Sequence, residues 1–101
     1  MTLAFAVAIS AAAGAAPALA ANADNGGNLA RRWCSTCHVV SPAQTQASAD
    51  APPFASIAQR PGFSAAQLAL FLLDPHPKMP NMALSRIEAG DIAAYIETLR
   101  H

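Results

Sequence analysis

Residues 33–40 read WCSTCHVV. They hold both cysteines of a 101-residue chain, Cys34 and Cys37, with His38 directly after the second. A fold that keeps two thiols and an imidazole within five positions has to serve their chemistry. Three chemistries use such a cluster: a dithiol redox switch, a metal site, and covalent attachment of haem.

The rest of the chain discriminates among them. Trp33-Cys34-Ser35-Thr36-Cys37 resembles the Trp-Cys-x-x-Cys of thioredoxin-like proteins. That chemistry needs a strand to deliver the motif to a helix start, and no strand pattern precedes Trp33. A closed zinc site needs a fourth ligand. His76 or His101 would have to supply it, and the usual paired spacing is absent. Haem attachment fits the spacing itself. On a helix Cys34, Cys37 and His38 stand at i, i+3 and i+4 and share a face. Two thiols can then form thioethers to the two porphyrin vinyl groups while the imidazole reaches the iron. C-x-x-C-H is the signature of this attachment.

Such attachment belongs with export, and the N-terminus reads as an export signal. Residues 1–20, MTLAFAVAISAAAGAAPALA, carry no charged side chain. An apolar segment from Leu3 to Ala13 is followed by Gly14, Pro17 and the small-residue run Ala18-Leu19-Ala20, the pattern of a secretory signal with an A-x-A cleavage site. Cleavage is expected after Ala20, with Ala21-Asn22-Ala23 as a second site. No Lys or Arg precedes the apolar run. An uncleaved membrane anchor is the alternative, against which the alanine-rich composition counts. The expected layout is a signal at 1–20 and one domain at 21–101.

All six Lys/Arg and all six Asp/Glu lie after Ala20, so the mature chain is formally neutral. No basic face suggests nucleic acid. A domain of roughly 80 residues buries a modest fraction of its surface and often needs a staple. Aromatic and aliphatic content is thin for an unaided core, and a macrocycle would fill the middle.

The elements expected are all helical. Asn25 or Asp24 caps a first helix from about Gly26 to Cys37, with Leu29, Ala30 and Trp33 at helical spacing. Val39 to Gly62 reads as a long ordered loop with one helical turn at Phe54 to Ala58, a length that makes sense if the loop wraps a ligand. Ser64 to Gln67 is a capping-box pattern for a helix from about Ala65 to Leu73. Pro75, Pro77 and Pro80 forbid its continuation. Ser85 to Glu88 is a second capping box, and Ile92, Tyr95, Ile96 and Leu99 mark one face of a last helix running to about Arg100.

Candidates for a second axial ligand are Met79, Met82, His76 and His101. The segment PHPKMPNMALSRIEAGDIAAYIETL resembles the C-terminal third of small class I c-type cytochromes, and the resemblance covers essentially the whole chain from Gly26 through Leu99. It implies the class I cytochrome c fold: all-α, three main helices and long loops wrapped around one covalently attached haem c. It implies Met79, followed by Pro80, as the axial partner of His38, with Met82 where the family usually has leucine. It implies that the Pro52 carbonyl, or that of Pro53, accepts the Nδ1–H of His38, although Ala51 stands where glycine is usual. It implies that the first and last helices cross through Gly26 or Gly27 against Tyr95, with Leu29 and Ile92 nearby. His/Met ligation raises the reduction potential and leaves no open site for oxygen. Of the remaining residues, Arg60 is a candidate partner of a haem propionate or a solvated loop residue. Trp33 is expected to be partly buried, without a role in the chemistry.

The function expected is that of a soluble, periplasmic, bacterial one-electron carrier, a monomer, and not an enzyme by itself. Partners are redox proteins docking transiently at the exposed thioether edge. Lys78 is the only lysine, so docking is expected to depend weakly on salt. Two alternatives stand beside this: a haem subunit of a periplasmic dehydrogenase or oxidase complex, and a haem enzyme or gas sensor with an open sixth site.

Overall fold

The structure is a computed structural model that describes residues 2–8, 20–48, 50–74 and 78–101. His76 and its two flanking prolines, and residues 9–19 of the expected leader, lie outside the described residues. The elements are α1 (Ala23–Trp33), α2 (Phe54–Ala58), α3 (Ala65–Leu73) and α4 (Arg86–Glu97). Among the described residues there is no strand, and no helix is long and apolar enough to cross a membrane.

Helix α1 starts three residues earlier than its sequence suggests. Asn22, not Asn25 or Asp24, is the cap: its Oδ1 accepts from the Asn25 backbone N–H at 3.0 Å. The cap is held from across the molecule. Asp91, buried on α4, accepts from the Asn22 backbone N–H and from the Asn25 side-chain amide, both at 2.8 Å. One carboxylate thus satisfies a donor at the helix start and one on the capping turn, which local spacing does not encode.

Helix α1 also stops at Trp33 rather than running to Cys37. Beyond it the chain makes a tight turn in which Cys37 N–H and His38 N–H both donate to the Cys34 carbonyl, at 3.2 and 2.8 Å. The carbonyls of that turn are bound by the following loop. Ser35 O accepts from Gln44 Nε2 at 2.8 Å, and Thr36 O accepts from Ser48 N and Oγ at 2.8 and 2.6 Å. The cysteines and the histidine therefore sit on a turn after the helix.

The expected starts of α2, α3 and α4 are met. Ser64 caps α3 by accepting from Gln67 N at 3.2 Å. Ser85 and Glu88 form a reciprocal capping box, at 2.9 and 3.0 Å. Helix α4 ends at Glu97 instead of Arg100. Its tail tightens into i→i+3 bonds, Leu99 N to Ile96 O and Arg100 N to Glu97 O, and Arg100 turns its guanidinium to the Ala58 carbonyl at 3.0 Å and over the Phe63 ring.

Helix α4 is the centre of the packing and touches each of the other three. Where it crosses α1 the two backbones nearly meet. A Cβ on Gly26 would lie 1.8 Å from Asp91 O, and one on Gly27 would lie 3.0 Å from the Tyr95 ring. Tyr95 is anchored by its hydroxyl, which donates to Val40 O at 2.6 Å. The core gathers Ala30, Val40, Phe54, Ala58, Ile92 and Ile96. Helix α3 contributes no fully buried residue, although seven of its nine residues, Ala65, Ala66, Leu68 to Leu70, Leu72 and Leu73 among them, are aliphatic.

Candidate functional site

Helix α3 is left short of neighbours because its inner side faces a cavity. The hollow measures about 540 Å³, within the range of ordinary ligand pockets, roughly 300–1,000 Å³. Leu68, Phe71 and Leu72 line it from α3, and Ile96 from α4. Its walls are mostly apolar, and the groups able to make bonds are few.

Asp50 and Lys78 are among them, and so are the residues the sequence singles out. Cys34, Cys37, His38, Pro52, Arg60 and Met79 all border this one cavity. The post-α1 turn supplies the first three. The loop before α2 supplies Pro52. The segment before α4 supplies Met79, with Met82 beside it on the same cavity. In that segment Asn81 Oδ1 accepts from Ala83 N at 2.9 Å, and Ala83 takes a left-handed backbone conformation with φ 51°.

His38 is buried, and its tautomer follows from its partner. Nδ1 lies 2.6 Å from the Pro52 carbonyl oxygen. A carbonyl can only accept, so Nδ1 carries the hydrogen, and in the neutral ring Nε2 is the nitrogen with the lone pair. Of the two prolines considered, Pro52 is the acceptor. The Phe54 ring tilts against the imidazole, centroids 5.1 Å apart at 49°. A metal-binding histidine characteristically has its second nitrogen tied to a carbonyl in this way.

The cysteines are both free thiols. Burial, and secondarily the neighbouring Cys37, push the Cys34 thiol up to about 11. Reactive dithiols work in the opposite direction, through a depressed pKa that exposes a thiolate at neutral pH. Among the described residues no three His, Cys, Asp or Glu side chains converge as a metal cage requires. Cys34, Cys37 and His38 stand side by side along the same cavity.

The residues present fit a haem c. The cavity is apolar and too large for the side chains around it to close. It is bordered by two thiols on one turn, an imidazole whose Nδ1–H is tied to Pro52, and the thioethers of two methionines. His101 is elsewhere: it is exposed and hydrogen-bonded to Gln59. Arg60 is exposed at the cavity edge. Trp33 is 51% exposed there, partly buried as expected.

Gln44 was not singled out from the sequence. Its Oε1 accepts from Val40 N at 2.9 Å, and its Nε2 donates to the carbonyls of Ser35, His38 and Gln46 at 2.8, 2.9 and 3.0 Å. The only signal available was its place six residues after the histidine.

No family model matches the chain, and no solved structure matches it. Among curated proteins, cytochrome c-552 of Bradyrhizobium diazoefficiens is 66% identical over 83 residues, which cover 82% of this chain and 80% of that protein.

Proposed function

Because this chain belongs to the small c-type cytochromes, we propose that it is a soluble, exported carrier of single electrons with the class I fold and one covalently attached haem c, and that it converts no substrate. The observation that carries the reading is His38: buried, with Nδ1–H committed to Pro52 O at 2.6 Å and Nε2 left with its lone pair, beside an apolar cavity that the two cysteines and Met79 also border.

When bound, the haem supplies a one-electron iron couple. The chain's residues bind it and hold its surroundings fixed. Cys34 and Cys37 would hold it through their sulfurs, and His38 and Met79 would be the ligands to its iron. Pro52 keeps the imidazole in one tautomer and orientation and raises its basicity. Met79 is favoured over Met82 because Pro80 directly follows it and stiffens its segment, which helps keep a weak thioether bond formed. Met82 packs beside the haem, and Arg60 stands where its guanidinium can meet a propionate.

Trp33 and Phe71 border the cavity and are about half exposed, and Leu70 beside Phe71 is more so. These support transient docking of redox partners by apolar contact near the cavity.

Optical spectra of protein made with a cytochrome c maturation system, in both redox states and as the alkaline pyridine adduct, test the proposal. The expected result is a two-thioether haem c signature with the weak ferric methionine-to-iron band. Haem c without that band, with high-spin iron, would remove Met79 as ligand and leave an open-site haem enzyme or sensor. Absence of haem would overturn the reading.

A further inference from the structure

We propose that Gln44 is a positioning residue for His38, and that it sets the strength of the His38–Pro52 hydrogen bond and through it the reduction potential. This rests on the reading of His38 as an axial ligand.

The Gln44 amide is fully engaged with the turn that carries the histidine. Its orientation is forced, because Val40 N is a donor and must meet the oxygen, while three carbonyls must meet the nitrogen. Nε2 has two hydrogens for three carbonyls, so one bond is shared. The bonds to Ser35 O and His38 O lie on the two sides of Cys37 and fix the peptide planes around the attachment turn. The bond from Val40 N fixes the chain leaving it.

His38 is thereby held at two ends by one loop. Gln44, near the start of the loop, holds the histidine's main-chain carbonyl at 2.9 Å. Pro52, near its end, holds the ring at 2.6 Å. Among the described residues between them, Ser48 reaches Thr36, and just beyond Pro52 the Phe54 N–H reaches Val39 O at 2.9 Å. The register of Pro52 against the ring is thus set by the Gln44 anchor on one side and the Phe54–Val39 bond on the other. Slackening that anchor lengthens Nδ1–H···O=C, lowers the basicity of Nε2 and favours the reduced state.

The test compares haem-loaded wild type with Gln44→Met, which keeps the length of the side chain and loses its hydrogen bonds, and Gln44→Asn, which keeps the amide on a shorter arm. Ser48→Ala serves as a control, since it loosens the same loop at Thr36 without touching the His38 carbonyl. The readouts are the midpoint potential and the solvent exchange rate of the His38 Nδ1 proton, followed by NMR in the reduced protein. Gln44→Met is expected to raise the potential and to speed that exchange about tenfold, a factor corresponding to about 1.4 kcal/mol of lost protection. Gln44→Asn is expected to fall between it and wild type, and Ser48→Ala to leave both readouts unmoved. If Gln44→Met lowers only the melting temperature, Gln44 is a loop staple and the proposal is overturned. Equal shifts in Ser48→Ala overturn it too. The wild-type spectra test the ligation separately, so a failure there is distinguishable from a failure here.

Discussion

At the residue scale, Gly26 and Gly27 look alike in the sequence and carry very different demands. A Cβ at 26 would sit 1.8 Å from backbone on α4, which cannot give way without separating the helices. One at 27 would press the Tyr95 ring at 3.0 Å, and a side chain can shift by a few tenths of an ångström. Gly26→Ala is therefore expected to cost about 3 kcal/mol or more and Gly27→Ala about 1 kcal/mol, read from denaturant midpoints of the loaded protein. Similar costs for the two would mean that the crossing is looser than described. Met79→Ala is expected to abolish the ferric methionine band, and Met82→Ala to preserve it. Loss of the band in Met82→Ala alone would exchange their roles. The grouping of Cys34, Cys37 and His38 on one cavity was legible from sequence because their spacing is tight: two thiols and an imidazole are informative wherever the backbone puts them. Gln44 was not, because a glutamine in a polar loop reads the same whether it clamps three carbonyls or faces water.

At the scale of elements, what was legible followed from local chemistry, and what was missed came from distant partners. The starts of α3 and α4 lie in the four residues of each cap, Ser64 to Gln67 and Ser85 to Glu88. The start of α1 depends on Asp91, 69 positions beyond Asn22. The turn that follows its end is held by Gln44 and Ser48, which bond the Ser35 and Thr36 carbonyls. The cap has a consequence for processing. Cleavage after Ala20 leaves Asn22 in place, whereas cleavage after Ala23 deletes it along with two of its bonds to the folded domain. The mature chain is expected to begin at Ala21 by intact mass, and one beginning at Asp24 would refute this. Asn22→Ala removes the side-chain cap alone and should cost about 1 kcal/mol.

At the scale of the whole molecule, charge and volume decide behaviour. The domain after Ala20 has equal numbers of acidic and basic side chains and a single lysine, so its field does little to steer a charged partner. The rate of oxidation by a protein acceptor, measured by stopped flow, is expected to change little with added salt, and a steep decline would contradict docking by apolar contact. Volume bears on folding itself. Leaving 540 Å³ unfilled, at ~24 cal/mol per Å³, corresponds to a ceiling of about 13 kcal/mol. It is a ceiling because water enters an open cavity. Domains are stable by only about 5–15 kcal/mol in total, so even a fraction of that cost consumes most of what a chain this small can supply. Helix α3 has most to lose, since its apolar inner side has the cavity for a neighbour and no residue of it is fully buried. The helices α1 and α4 are pinned to each other through Gly26, Tyr95 and Asp91, but the core around that crossing is small, Ala30, Val40, Phe54, Ala58, Ile92 and Ile96 among its members. A Cys34→Ala, Cys37→Ala chain, which cannot attach haem, is therefore expected to lack a cooperative thermal transition and to show far-UV circular dichroism of a largely unfolded chain. The loaded protein should melt sharply. Native helicity and a sharp transition in the haem-free chain would show that the protein core suffices without the haem.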